Sequence, residues 1–402
     1  MRTMETNDTR NADPAITDDP AGQRIADDAA GMRLALQWAE RGLYSTSPNP
    51  HIGCVIVKDG IVIGAGVTQP AGQDHAEIQA LKDAQRRGFD VRGATAYVTL
   101  EPCSHYGRTP PCCDALVRSG LARVVAAMED PNPLVAGQGM ARLAQAGIAV
   151  SSGLLADEAH ELNIGFFSRM TRQLPWVRMK TAASLDGMTA LHNGTSQWIT
   201  GAAARSDGHA WRARACAILT GIGTVKADNP QLNVRAVATP RQPRRIVVDS
   251  RLEIDPGARV LQGGGTWIVA AVTDHEREAR LRDTGAEILT LPNAHGKVDL
   301  AELMRELARR QVNELHVEAG TKLNGSLVRE GCVDELLLYL APTLLGDAQG
   351  MFALPALTEL AGKYPLKFHE AKMVGDDLRI LARFMDKANV GDKTSVIDKN
   401  IH

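Results

Sequence analysis

His75-Ala76-Glu77, together with the run Thr99-Leu100-Glu101-Pro102-Cys103-Ser104-His105-Tyr106-Gly107-Arg108-Thr109-Pro110-Pro111-Cys112-Cys113, decides how this chain is read. A histidine, a glutamate two residues on and two later thiols form the inventory of a zinc site that activates water. In that inventory His and two Cys hold the metal, and the Glu moves protons without binding it. His75 opens a helix whose Ile78, Leu81 and Ala84 point inward, and Ala94 to Leu100 reads as a strand that ends at Glu101. Pro110-Pro111 suits the first turn of another helix, so Cys112 falls near its N-terminus. His75, Cys103 and Cys112 can therefore meet at one end of a sheet, where helix N-termini favour thiolate. Structural zinc prefers four protein ligands; the three obvious here leave the open position that catalysis needs. The second cysteine follows the first by nine positions, not by the short Cys-x-x-Cys interval. Cys112 and Cys113 are adjacent, so spacing alone leaves either as the third ligand.

Working outward, Asp27-Asp28 starts a helix with Met32, Leu36, Ala39 and Leu43 at helical spacing, which Ser47-Pro48-Asn49-Pro50 breaks. Ile52 to Val57 and Ile61 to Gly64 read as strands joined by the hairpin signal Lys58-Asp59-Gly60. Further strands at Arg123–Met128 and Ile148–Ser152 flank an Ala-rich helix near Met140–Ala146. Leu154 to Arg172 reads as one helix, and Gln173-Leu174-Pro175 as a boundary. Beyond it come strands at Val177–Lys180, Ala217–Thr220, Arg245–Arg251, Thr266–Val272 and Leu315–Val317, with Glu335–Leu340 closing the sheet. Strands alternating with helices make both halves layered α/β.

Composition sets the bounds. At 402 residues the chain is expected to hold two domains. Its 45 basic and 47 acidic side chains give a net charge of -2, so no general attraction to nucleic acid or membrane is expected. A phosphorylated ligand would need local arginines instead. Six unevenly spaced cysteines point to metal ligands and core thiols, with Cys54, Cys216 and Cys332 as the core members. With no signal h-region and no apolar run long enough to span a bilayer, a cytoplasmic enzyme is expected. The expected organisation is a disordered polar tail over 1–25, a first domain carrying the zinc site over 26–172, a second domain over 173–386 and a polar tail over 387–402.

The long interval between Cys103 and Cys112, with Pro48-Asn49-Pro50 and Glu129-Asp130-Pro131-Asn132-Pro133, resembles the deaminase half of the bifunctional riboflavin-biosynthesis pyrimidine deaminase–reductase family. That resemblance implies a cytidine-deaminase-like three-layer αβα domain and selects Cys112 as the third ligand. It places Asn49, Arg108, Asp130 and Asn132 in the pyrimidine and phosphate pocket. The competing view is turn chemistry, since Asn-Pro and Asp-Pro are ordinary loop formers.

In the second half no Gly-x-Gly-x-x-Gly follows a strand, so a Rossmann site is unsupported. Gly320-Thr321-Lys322-Leu323-Asn324-Gly325-Ser326 is a glycine- and hydroxyl-bearing loop leading from strand to helix, suited to a pyrophosphate. Ser250-Arg251 at a strand exit could hold a ribose 2′-phosphate, favouring NADP over NAD. Lys180 through Asp186-Gly187, Gly194 through Trp198, Gly221 through Leu232, Ile246 through Ser250 and Val317 through Ser326 resemble the reductase half of the same family. That half is a dihydrofolate-reductase-like α/β domain. By this likeness Ala182, Trp198, Thr224, Asp228, Ser250 and the Gly320 loop touch NADPH. Ser196, Arg212, Leu232, Arg235 and Glu318, with Lys180 and Asp186 from the matched stretches, hold a phosphorylated pyrimidine, the arginines supplying charge for its phosphate. The resemblance implies Zn2+ and NADPH as cofactors and a homo-oligomer, dimer or tetramer. A nucleobase or nucleic-acid deaminase with a non-catalytic nucleotide-binding second domain is the alternative. The near-neutral charge and the lack of an aromatic–basic stripe count against it.

Overall fold

Asp27 caps the first helix as its position suggests, its side chain accepting the Ala30 N–H. The computed structural model describes residues 19–107, 109–132 and 136–385. Arg108, residues 1–18 and the tail 387–402 lie outside the described residues. The described residues fall into two compact units, those up to Gly42 with His51–Leu162 in one, and Leu43–Pro50 with those from Asn163 onward in the other.

The first unit runs α1 (Asp28–Glu40), β1 (Gly53–Lys58), β2 (Ile61–Val67), α2 (Ala76–Arg86), β3 (Thr95–Val98), α3 (Cys112–Ser119), β4 (Arg123–Ala126), α4 (Gln138–Gln145), β5 (Ala149–Ser152) and α5 (Ala156–Leu162). Its sheet has the order β2-β1-β3-β4-β5, antiparallel across β2, β1 and β3 and parallel from β3 to β5. The β1–β2 hairpin turns on Asp59 and Gly60, both at positive φ, the pairing a tight primed turn requires. Helices α1 and α5 cover one face while α2, α3 and α4 cover the other, giving three layers. Residues 22–25, expected to be tail, are ordered. Gly22 N donates to Val62 O at 3.0 Å, Ile25 N to Gly60 O at 2.8 Å, and Ile25 is buried. That stretch covers the open edge of β2, and burial of Ile25 offsets its ordering.

The single helix expected over Leu154–Arg172 is two, broken at Asn163 (φ -112, ψ 18). The buried Asn163 leaves the helical region between α5 and the next helix without capping it through its side chain. The second unit continues with α6 (Ile164–Arg172), β6 (Trp176–Ser184), β7 (Met188–Ala190), α7 (Ala202–Arg214), β8 (Ala217–Gly221), α8 (Ile222–Asp228), β9 (Arg244–Val248), β10 (Thr266–Ala270), α9 (His275–Arg282), β11 (Glu287–Thr290), α10 (Leu300–Arg309), β12 (Glu314–Val317), α11 (Thr321–Arg329), β13 (Glu335–Ala341), β14 (Gln349–Gly350), β15 (Leu366–Val374) and β16 (Asp377–Phe384). The nine-stranded sheet has the order β11-β10-β9-β8-β12-β6-β13-β16-β15. It is parallel from β11 to β13 and antiparallel over the last two pairings. β13 therefore does not close the sheet: the β15–β16 hairpin extends it.

One part of this sheet is covered by apolar side chains, among them Leu303 and Leu307 of α10 and Leu327 of α11 packed on Met179, Leu219 and Val317. Under α7 the cover is charged instead. Arg178 (side chain 4% exposed) donates to Glu335 at 2.5 Å and Glu314 at 2.8 Å, Arg214 also binds Glu314, Arg383 binds Glu335, and Trp211 lies against Arg178 at 4.4 Å. Burial disfavours the Arg178 charge, but Glu335 and Glu314 more than offset this and hold its pKa above the usual value.

Position matters most where α2 crosses β2. A Cβ on Gly66 would sit 2.3 Å from the Ala76 carbonyl, so the helix can lie there only on a glycine. Gly66→Ala is expected to destabilise the first unit by roughly 1–3 kcal/mol. Urea denaturation followed by the near-ultraviolet signal would check this, and an unchanged midpoint would refute it.

Candidate active sites in the two units

In the first unit, His75 immediately precedes α2, Cys112 is the first residue of α3 and Cys103 lies in the loop after β3. Cys112 Sγ is 3.2 Å and Cys103 Sγ 3.6 Å from His75 Nδ1, and the Cys112 N–H points at Cys103 Sγ from 3.2 Å. Among the described residues these three form a group whose donor atoms all lie within 4.8 Å of one another, the donor set of a single ion. Hydrogen bonding from Cys112 pulls the Cys103 thiol down to about 4 against burial, with His75 adding to the effect, while the same bond and burial push Cys112 up. Two sulfurs sharing one proton, with an imidazole beside them, fit a divalent cation. Cys113 faces elsewhere, with its Sγ on the Pro102 and Gly139 carbonyls at 3.2 and 3.5 Å and burial pushing its pKa up to about 12.

Glu77 is 2% exposed, one carboxylate oxygen has no hydrogen-bond partner, and burial followed by the Cys103 charge raises its pKa to about 7. A carboxyl that changes protonation near neutrality beside a metal donor set is placed to carry protons. Two positioning residues had escaped the sequence reading. Thr109 Oγ1 lies 3.4 Å from His75 Nε2, the contact that orients a ligand ring. Glu101 is buried, and its carboxylate accepts the backbone N–H groups of Asp130, Gly137, Gly139 and Met140 at 2.7–3.2 Å. The only signal for Glu101 was an acidic residue at a strand end directly before Pro-Cys.

Glu101 fixes the start of the loop bearing Asp130 and Asn132. Asp130 accepts the Asn132 N–H at 2.8 Å in a local turn, and burial, with Glu101 nearby, raises its pKa. Turn chemistry is thus real for this pair. Asn49 falls in the other compact unit, where its N–H donates to Thr46 O at 3.0 Å.

In the second unit the connection after β8 leads away through α8 to β9, while that after β12 passes through α11 to β13 on the other side. The crevice at the carboxyl ends of β8 and β12 is therefore a topological switch point, where open α/β sheets bind ligands. Gly320 starts α11 without a side-chain cap, and the Asn324 N–H is already bonded to Gly320 O. The N–H groups of Thr321, Lys322 and Leu323 precede the helical ladder and are the anion-ready donors. A Cβ on Gly320 would lie 3.5 Å from Thr224 Oγ1, and Asn324 Oδ1 is buried without a partner. These features fit a dinucleotide pyrophosphate. The expected loop is corrected: α11 begins at Thr321, so Thr321 to Ser326 are helix, not loop. Gly325 and Ser326 are helix interior, the former so that Ala353 can approach (2.2 Å from an added Cβ), the latter bonded to Lys322 O at 3.2 Å.

Along the same edge Ser250 Oγ accepts the Val298 N–H at 3.3 Å and the exposed Arg251 faces Glu253 at 3.5 Å. Asp228 is exposed at the end of α8, Ala182 is partly buried on β6 and Ser196 partly buried in the following loop. Trp198 is 67% exposed with Arg205 over its ring at 4.6 Å, so it is no core residue.

Three expectations for the substrate residues change. Arg212 does not present a free charge: Glu318 holds it bidentately at 2.5 and 2.8 Å, and its Nη1 donates to Asn233 O. Burial opposes the Glu318 charge, but Arg212 holds its pKa well below the ordinary value. Arg212 is thus a clamp on the loop carrying the exposed Arg235, which keeps its guanidinium for Asn233 Oδ1 at 3.1 Å. Leu232 is 3% exposed, and its side chain belongs to the apolar core. Asp186 gives its carboxylate to Ser184 and to the Leu345 and Gly346 N–H groups, anchoring a turn. Lys180 lies partly buried near Glu318 and Arg212, with burial lowering its pKa.

A His–Cys–Cys site with a buried glutamate in one unit and a nucleotide crevice in the other define a two-domain deaminase–reductase. The comparisons agree. Residues 25–128 match the cytidine and deoxycytidylate deaminase zinc-binding region, and 175–380 the RibD C-terminal domain. Riboflavin biosynthesis protein RibD of Escherichia coli (strain K12) is 49% identical over 86% of this chain and 96% of its own, and that of Haemophilus influenzae 45% over 86% and 94%. Among solved structures, Acinetobacter baumannii RibD superposes with TM-score 0.80 at 41% identity, covering 89% of this chain and 99% of that one. A Thermotoga maritima diaminohydroxyphosphoribosylaminopyrimidine deaminase/5-amino-6-(5-phosphoribosylamino)uracil reductase gives 0.80 at 31%, with the same coverage. The chain belongs to the RibD family of bifunctional riboflavin-biosynthesis enzymes, with a zinc-binding deaminase domain and a reductase domain that uses NADPH.

Glu77→Gln should retain zinc and lose ammonia release. A carboxyl raised from 4.5 to about 7 destabilises the fold as pH rises through that window, by roughly 3 kcal/mol once ionised. In chelator-treated protein, Glu77→Gln should therefore be the more stable form near pH 8 and indistinguishable from the parent near pH 4. Parallel denaturation curves at both pH values would refute the burial argument.

Proposed function

We propose that the first unit removes the 2-amino group of 2,5-diamino-6-(5-phosphoribosylamino)pyrimidin-4(3H)-one by hydrolysis, and that the second reduces the ribosyl chain of the resulting 5-amino-6-(5-phosphoribosylamino)uracil to ribityl. The observation that carries the first step is the partnerless Glu77 oxygen buried beside the three donor atoms. His75, Cys103 and Cys112 would hold zinc, which when bound would supply Lewis acidity. Glu77 takes the proton from the attacking water and delivers it to the amine, which leaves as ammonia. Asp130 and Asn132, on the loop that Glu101 anchors, line the pyrimidine side.

In the second unit NADPH supplies the hydride. Thr321, Lys322 and Leu323 would hold its pyrophosphate through their N–H groups, together with Thr224 and Asp228, and Ala182, Trp198, Ser250 and Arg251 would complete the cofactor site. Lys180, Glu318 and Ser196 orient the sugar, and Arg235 takes the substrate phosphate on the loop that Arg212 and Leu232 hold. Positioning provides most of the effect, since the hydride needs no further activation by the protein.

We also infer a homo-oligomer, dimer or tetramer, supported by the outer strand β15, whose Leu366, Phe368 and Met373 are 40%, 72% and 62% exposed. A strand edge of this kind is a template for a second chain. Sedimentation of the intact protein should give at least a dimer, and a monomer at micromolar concentration would reject this. For the reaction, incubation with the diaminopyrimidinone phosphate and NADPH should release ammonia and consume NADPH absorbance in sequence. Ammonia without NADPH oxidation would leave the second domain as a nucleotide-binding module.

A further inference from the structure

The loop that carries Arg235 is held by side chains rather than by secondary structure. Residues 231–235 lie in no helix or strand, so their backbone groups need partners from elsewhere. Leu232 sits at φ 49 with its side chain buried, a backbone conformation that persists only where the surroundings impose it. Those surroundings come from two segments. From α7, Arg212 Nη1 donates to Asn233 O at 3.1 Å and His209 Nδ1 accepts the Arg235 N–H at 3.4 Å. His209 can accept because it is neutral: burial, followed by the Arg212 and Arg235 charges, lowers its pKa to about 4. From the stretch before β9, Gln242 Oε1 accepts the Val234 N–H at 2.8 Å and its Nε2 donates to the Val234 carbonyl at 3.0 Å. One side-chain amide thus makes both of the bonds that a neighbouring strand would exchange with Val234.

Gln242 is itself fixed. The preceding Arg241 donates to the Ala215 and Arg214 carbonyls at 2.9 and 3.1 Å, which ties this stretch to the carboxyl end of α7, and the following Pro243 is buried. The same helix therefore mounts Arg212, His209 and, through Arg241, Gln242.

We propose that Gln242 is a positioning residue for the reductase substrate: by locking Val234 it sets where the Arg235 guanidinium meets the substrate phosphate. The proposal rests on the reading of Arg235 as the group that takes that phosphate. A guanidinium fork binds phosphate best when already oriented, because ordering a free loop at the moment of binding weakens the contact. Gln242 acts only through the backbone of the residue before Arg235. The phosphate is remote from the carbon that receives the hydride, so the effect belongs in KM rather than kcat.

The test is reductase kinetics of the full-length enzyme with 5-amino-6-(5-phosphoribosylamino)uracil and with its phosphate-free counterpart, the latter as substrate or as competitive inhibitor. Gln242→Met keeps the length of the side chain and removes its hydrogen bonds at a surface position. It should raise KM for the phosphorylated substrate roughly 10-fold, with kcat within about two-fold of the parent. The constant for the phosphate-free compound and the calorimetric NADPH affinity should stay unchanged. Arg235→Ala should raise the same KM at least as much, and adding Gln242→Met to it should change nothing further. An equal effect on both compounds, an unchanged KM in Gln242→Met, or additive losses in the double variant overturns the positioning role. An Arg235→Ala enzyme with the parent KM for the phosphorylated substrate overturns the phosphate reading and this proposal with it.

Discussion

Parallel strands cannot be joined by a tight turn, so each must be followed by a crossover, and both units place their chemistry where crossovers begin. In the first, the loop leaving β3 carries Cys103 and leads to α3, whose first residue is Cys112. In the second, the exits of β8 and β12 lead in opposite directions and open a crevice that no side chain had to be added to create. The backbone supplies the geometry first: N–H groups left over at a helix start, and loops free to present thiols. The side chains then choose between a soft cation and a pyrophosphate.

Within that frame, burial does different work in the two sites. Around Glu77 it leaves a carboxyl without a partner and so near neutrality in its pKa. Around Glu318, a less deeply buried carboxyl, Arg212 is bonded to both oxygens and holds the group as an anion. One acid is kept ready to change state and the other is kept from changing. The chief difference is the bidentate arginine, with His316 adding to it.

What the sequence made legible is local. His75, Cys103 and Cys112 were readable because each sits at an element boundary marked by proline or by a break in periodicity, and the Asp59-Gly60 turn because its conformation demands those residues. The choice of Cys112 over Cys113 needed the resemblance, since adjacent residues at a helix start differ only in the direction they face. Less visible were features whose cause is a distant segment. Gly325 is a glycine because Ala353 approaches it, Glu101 is acidic because four N–H groups of a later loop converge on it, and Arg212 is spoken for by Glu318. The β15–β16 hairpin went unread because β15 is exposed along its length and so carries little of the alternation that announces a strand.

The charged layer beneath α7 has a consequence for how such a domain can vary. Arg178 serves Glu314 and Glu335, and each of these serves a second arginine, so exchanging any one member leaves its neighbours short of a partner and the layer's charge unbalanced out of water. An apolar replacement of the whole layer is physically acceptable, whereas every one-residue route to it passes through a less stable intermediate. Substitutions there should accumulate as matched sets or not at all. The layer is in that sense a historical lock, keeping this face of the reductase sheet ionic irrespective of whether charge is the best way to fill it.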